Sequence, residues 1–199
     1  RRAAGAAGGA EMGSQMRLFT GKGDGGETDL LGGRVGKDDP RIELIGALDE
    51  TTSSIGLARA TARTGRTKDW LLEAQRDLYR IMAELAFTDE IRPKDYALGH
   101  DRVLHLETQT DQLSAEIELP RHFIVPGDSM PGAALDVART VVRRAERQAV
   151  ALAHSGQTLN AEILRYLNRL SSLLFMLARA EDREAGVTPL PAKERRAPR

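Results

Sequence analysis

The strongest constraint on this chain is that its apolar residues recur at helical spacing through five successive segments, each closed by proline, glycine or a polar break. At about 100° per residue, Ile42, Ile45, Leu48 and Ile55 carry a first helix over 40–63, opened by Pro40 at its first position behind Asp39 as cap. A second, over 69–88, rests on Leu71, Leu72, Leu78, Ile81, Met82 and Leu85. Past a turn at Pro93, Val103, Leu104, Leu106 and Leu113 carry a third over 97–118. A loop with Pro120, Pro126, Gly127 and Pro131 leads to a fourth over 132–154, and a fifth over 159–185 has Ile163, Leu164, Leu167, Leu170, Leu174 and Leu177 inside. Five helices with little strand pattern and no internal repeat predict an all-α, five-helix bundle.

At 199 residues, 41% of them hydrophobic, the chain can build one domain with its own core. Basic and acidic residues balance at 29 each, so no global field points to nucleic acid or an anionic membrane, and any anion site must be local. The absence of cysteine excludes disulfides and thiolate metal sites. No apolar run approaches the roughly 20 residues that span a bilayer, and a soluble, cytoplasmic protein is expected. Residues 1–16, rich in Gly and Ala, read as a disordered leader; two arginines and a delayed first acid leave an organelle transit peptide, hence an organelle matrix, as the alternative. The bundle domain is expected over 17–186. Three prolines and a basic cluster make 187–199 a loose tail.

Two stretches hold the chemistry. In R-T-V-V-R-R-A-E-R (139–147), Arg139, Arg143 and Glu146 fall within about 60° on one helical face, opposite an apolar face of Leu135, Ala138, Val142, Ala145, Ala149 and Leu152. The row reads either as a solvated basic face with Glu146 bridging the arginines or as a site awaiting an anion. The glycine-rich loop 17–39 contains G-K-G-D-G-G-E-T (21–28), which nearly fits the phosphate-loop pattern G-x-x-x-x-G-K-[ST] but places Glu27 where lysine belongs and lacks a βαβ context. Its glycines can still turn consecutive N–H groups onto an anion, with Lys22 and Lys37 supplying charge. A flexible linker is the alternative. The interleaving of Thr20, Lys22, Asp24, Thr28 and Lys37 with the glycines favours the anion loop. No triad or cysteine nucleophile is present, and His100, His105, His122 and His154 form no convincing ligand cluster.

The loop F-T-G-K-G-D-G-G-E-T-D-L-L-G-G, followed by K-D-D-P-R-I-E and L-D-E, resembles the amino-terminal signature of the PduO-type ATP:cob(I)alamin adenosyltransferases. F-I-V-P-G-D-S (123–129), A-R-T-V-V-R-R-A-E-R (138–147) and Y-L-N-R-L-S-S-L-L-F-M-L-A-R (166–179) resemble that family's later blocks in the same order, over residues 17–183. The resemblance implies a five-helix bundle in a ferritin-like up-down arrangement, a homotrimer with sites between subunits, and attack of cob(I)alamin on the 5′ carbon of ATP to give adenosylcobalamin and triphosphate. Such chemistry depends on positioning and charge stabilisation rather than on an acid or base. By the same resemblance Thr20, Gly21, Lys22, Gly23, Thr28, Asp29 and Lys37 form the ATP loop. Arg143, Arg144, Glu146 and Arg147 would meet ATP from the neighbouring subunit, with Asn168 adding a hydrogen bond. Arg139 would pair across the interface with Asp49, accounting for a carboxylate inside the apolar face of the first helix; an exposed Asp49 is the alternative. Phe123 would stand at the lower face of the corrin, where the residues alone suggest core packing before a Pro-Gly turn. Mg²⁺ is expected mainly on the ATP phosphates. A cobalamin reductase and an adenosylcobalamin-dependent mutase are the implied transient partners. A non-catalytic carrier delivering adenosylcobalamin would keep the same loops.

Five positions depart from the family pattern: Ser172 stands for an aspartate, Thr51-Thr52 for Leu-Asn, Asp136 for a histidine, and Glu27 adds negative charge to the triphosphate loop.

Overall fold

The computed structural model describes residues 19–88 and 91–193. Five helices dominate: α1 (Pro40–Thr61), α2 (Gly65–Ala86), α3 (His100–Glu116), α4 (Met130–His154) and α5 (Ala161–Glu184). The all-α reading holds, with boundaries set by caps that periodicity alone does not see. Asp39 accepts the Arg41 N–H at 2.8 Å, as expected. Helix α2 starts four residues before its predicted 69, because the Thr64 hydroxyl accepts the Thr67 N–H at 3.2 Å and makes Gly65 the first helical residue. Helix α3 starts later, at His100, because the Leu98 N–H is taken by the buried Glu84 carboxylate at 2.8 Å and the cap Gly99 is extended. Ser129 and Asn160 cap α4 and α5 through the N–H groups of Gly132 and Glu162.

The helices pack in the lateral order α2, α1, α4, α5, α3, with α4 lying along both α1 and α5. Leu135, Ala138, Val142, Ala145, Ala149 and Leu152 of α4 are all fully buried, so the apolar face read from the sequence is the one that meets Leu44, Leu48 and Ile55 of α1 and Leu167, Leu170 and Leu174 of α5 in a single core. The turn between α1 and α2 is clipped from α5: the buried Glu181 carboxylate accepts the Arg63 N–H at 2.8 Å and the Thr64 hydroxyl at 3.0 Å. A buried acid here satisfies backbone donors that a tight interhelical turn would otherwise strand.

The expectation of little strand needs correcting in two places. Within the glycine loop, β1 (Glu27–Leu30) and β2 (Gly33–Gly36) form an antiparallel hairpin across the two-residue turn Leu31-Gly32. The hairpin hangs from the end of α2, where the Leu31 N–H donates to the Ala86 carbonyl at 2.8 Å and the Thr88 N–H to the Leu31 carbonyl at 2.9 Å. Gly32 permits this with φ of +107°, and a Cβ there would lie 2.5 Å from the Thr88 hydroxyl. Gly32→Ala is therefore expected to weaken this junction by about 2 kcal/mol from the positive φ and the collision. Amide hydrogen exchange at Leu31 and Thr88 should accelerate roughly thirtyfold while the helical core keeps its protection. The second correction concerns the segment read as a loose tail from Val187: Leu190–Pro191 forms β4 and pairs with β3 (Ile124–Val125), and the Ala192 N–H donates to the Phe123 carbonyl at 2.7 Å. The proposed leader, 1–16, and the last residues, 194–199, lie outside the described residues. Among the described residues no helix is long and apolar enough to cross a membrane.

Candidate functional site

The glycine loop is a run of turns. The Asp24 N–H reaches the Gly21 carbonyl and the Gly26 N–H the Gly23 carbonyl, each at 3.2 Å, and the Lys37 N–H closes on the Gly26 carbonyl at 2.8 Å. Gly21 and Gly26 take positive φ values of +70° and +82°, which let the chain double back without steric cost. This brings the Lys37 ammonium against Gly23: a Cβ on that glycine would stand 3.2 Å from Nζ. The Thr20 hydroxyl accepts the Lys22 N–H at 3.4 Å. Thr28 sits opposite Val35, and Asp29 opposite Arg34, in the hairpin. Lys22 and Lys37 both face solvent, so the segment is an ordered, two-lysine loop rather than a linker.

Sequence reasoning missed Arg34. Its Nε donates to Glu27 at 2.8 Å, its Nη1 to Asp29 at 3.2 Å and its Nη2 to the Lys22 carbonyl. The Glu27 hydrogen bond raises the Arg34 guanidinium above its ordinary value. The negative charge that Glu27 brings into the loop thus has a local counter-ion. The available signal was the period-2 placement of Glu27, Asp29 and Arg34 on one face of a hairpin, legible only once the turn at Leu31-Gly32 is recognised.

The α4 arginines divide among different surroundings. Arg139 and Arg143 open onto a cavity of about 400 Å³ with Ser171, Ser172, Phe175 and Met176 of α5. Ser172 is exposed there, where it offers a hydroxyl and no charge. Arg144 pairs with Glu50 of α1 and shares with Lys37 and Gln148 a cleft of about 350 Å³. Arg147 turns back to donate to the Arg143 carbonyl at 3.0 Å. Glu146 accepts from the Asn168 amide at 2.9 Å, so these two predicted residues meet within one chain.

Arg139 is held by Asp136, its Nε donating at 3.1 Å. Asp136 is itself buried, 4% exposed, and takes the Arg179 guanidinium at 2.7 Å; Arg179, 3% exposed, also reaches Asp182 at 3.0 Å. Asp182 in turn accepts the hydroxyl of the α4 cap, Ser129, at 2.6 Å. The Asp136 departure therefore builds a buried ion network beneath Arg139. Asp49 corrects the expectation of a carboxylate in the apolar face: it is exposed, because Leu48 takes the buried position and the next residue rotates about 100° towards solvent. Phe123 overturns the core-packing alternative. Phe123 is 89% exposed and lines a cavity of about 780 Å³ with His122, Pro191, Ala192 and Lys193, none of which lines the cavity at Arg139 and Arg143.

The histidines pair with carboxylates or lie near the surface. His100 bonds Glu162 at 3.0 Å, holding that carboxyl below its usual range with help from Arg165, and His105 bonds Glu73 at 2.8 Å. Among the described residues no three His, Asp or Glu side chains converge as a metal cage.

The all-α bundle thus offers a lysine-bearing glycine loop, an arginine row on α4 and a separate cavity lined by an exposed phenyl ring. The chain belongs to the cobalamin adenosyltransferase family, whose model matches residues 18–181, and within it to the PduO type. It is 42% identical over 177 residues to a corrinoid adenosyltransferase of Bacillus subtilis, covering 86% of this chain and 90% of that protein. It is 37% identical over 172 residues to corrinoid adenosyltransferase PduO of Salmonella typhimurium, covering 85% of this chain and 51% of that longer protein. Among solved structures, a phenylalanine-to-alanine variant of the PduO-type ATP:corrinoid adenosyltransferase from Lactobacillus reuteri, complexed with cobalamin and ATP, matches with a TM-score of 0.84 at 28% identity, over 89% of this chain and 100% of that one.

Proposed function

We propose that this protein transfers the 5′-deoxyadenosyl group of ATP to cob(I)alamin, forming adenosylcobalamin and triphosphate. The observation that carries the reading is the joint opening of Arg139 and Arg143 onto one cavity, in a chain whose relatives are named for this activity and one of which holds both substrates. Cobalt(I) supplies the electron pair of the new cobalt–carbon bond, and the pair of the broken C5′–O bond leaves with triphosphate. No side chain need move a proton. The protein's part is to orient the ribose carbon and to stabilise charge growing on the departing oxygen.

In this reading the amides of 20–28 with Lys22 and Lys37 hold the phosphates, Thr28 and Asp29 shape the loop, and Arg143, Arg144, Glu146, Arg147 and Asn168 meet ATP from a neighbouring copy. The cleft at Lys37 and the cavity at Arg143 are distinct within one chain, which suits sites completed between subunits of a homotrimer. Asp49, exposed on α1, would meet a partner's arginine, and that arginine would be Arg139. Phe123 would press on the lower face of the corrin, keeping water and the displaced base from cobalt. Magnesium would enter on the phosphate oxygens, retaining several waters. Residence in the cytoplasm and transient contacts with a cobalamin reductase and an adenosylcobalamin-dependent mutase complete the proposal.

Anaerobic incubation with chemically reduced cobalamin and ATP should yield a light-sensitive cobalt–carbon bond and free triphosphate. Binding of both substrates without product would identify a carrier instead. ATP at a hundredfold excess over its Kd should add roughly 2.7 kcal/mol to unfolding stability, and an unchanged melting curve would rule out both readings.

A further inference from the structure

We infer that Arg34 is a positioning residue for the nucleotide, acting through the glycine loop: it offsets part of the charge of Glu27 and Asp29 and ties down the Lys22 carbonyl, so that the loop's N–H groups and lysines face a polyphosphate with less competition from those two acids. The inference rests on the ATP reading above.

The geometry supports it at three points. One guanidinium spans acceptors on both sides of the loop, Glu27 and Asp29 on β1 and the carbonyl of Lys22 in the preceding turn. Only arginine's planar fork can serve three acceptors set this way; an ammonium is a point charge without that geometry. Next, the loop is electrically poor. Over 20–37 it carries Lys22, Arg34 and Lys37 against Asp24, Glu27 and Asp29. Loss of Arg34 would leave an acidic loop facing a polyanion. Last, the clasp is open to solvent, the Arg34 side chain being 39% exposed and that of Glu27 59%. Exposed pairs contribute little to folding, so a clasp of this kind is better explained by what it does to the loop's field and shape than by what it adds to the core.

The site differs from the row on α4. Arg139 and Arg143 open on a cavity in the bundle, whereas Arg34 faces its own hairpin. It is not cast as a ligand of the phosphates and touches no reacting atom.

The experiment compares ATP Kd by calorimetry, and KM and kcat, for the full chain and for Arg34→Gln, Arg34→Lys, Glu27→Gln and the double variant Glu27→Gln/Arg34→Gln. Arg34→Gln should raise Kd and KM for ATP about tenfold by uncovering two carboxylates near the triphosphate, while kcat at saturating ATP falls less than threefold and the melting temperature stays within about 1 °C. Glu27→Gln in that background should recover most of the lost affinity, because removal of the acid substitutes for its neutralisation. Arg34→Lys should fall between. A purely structural pin predicts no recovery in the double variant, and that result would overturn the electrostatic role. Arg34→Gln binding ATP as tightly as the parent would overturn the inference entirely. If the parent itself neither binds ATP nor forms adenosylcobalamin, the failure lies in the functional reading and not in Arg34.

Discussion

Arg143→Ala should lower kcat/KM for adenosyl transfer by about 10² to 10³, the loss typical of removing one preorganised charge contact to a developing anion. The side chain is exposed on α4 and opens onto the cavity it shares with Arg139 and Ser172. Its contribution to the bundle is correspondingly small, since substitutions at such positions usually change stability by less than about 0.5 kcal/mol. Melting temperature and oligomeric state should therefore match the parent while turnover collapses. Single-turnover kinetics under anaerobic conditions provide the check, and a rate within threefold of the parent would remove Arg143 from the site.

The largest effect on folding should come from Asp136→Ala. It leaves the Arg179 guanidinium, 3% exposed, with one carboxylate in place of two, and breaking a buried pair by removing one partner costs about 3 to 5 kcal/mol. For a chain of this size that corresponds to a fall of about 10 °C in Tm. Two unpartnered donors on Arg179, Nε and Nη1, make the site intolerant of further loss. Converting Arg179 to methionine in the same protein should restore part of the stability, because no uncompensated guanidinium then remains inside. Equal or greater destabilisation in the double variant would show that packing, not charge, dominates. Arg139 would also lose its intrachain tether at Asp136, so activity should decline even where the protein remains folded.

Much of this site was legible in order along the chain and little of it in depth. The six apolar positions of α4 were read from their spacing and all are buried. Asp39 was read as a cap and is one. Such features depend on residues two to four apart, which a helix and its cap bring together whatever else the chain does. The Thr64 cap was missed because threonine followed by glycine is as common in loops as at helix starts. The hairpin was missed because glycines obscure alternation, leaving half-buried Leu30 and Val35 as its apolar trace. Phe123 was misread from the residues alone: an aromatic before Pro-Gly usually packs inward, yet β3 pairs with β4 in a way that leaves the ring outside.

By itself the sequence determined five helices, most of their buried positions and the presence of a glycine loop with lysines, because hydrophobic periodicity and capping are local and act before any long-range contact forms; Leu104, read as part of the apolar face of α3, is instead 49% exposed. Only the tertiary structure decided which charges meet. Arg179 finds Asp136 across 43 residues and Glu181 finds Arg63 across 118, and no spacing rule connects residues that far apart. Ion pairs and cavities are set by the relative placement of helices, and that placement follows from how the apolar stripes interlock rather than from any single stripe.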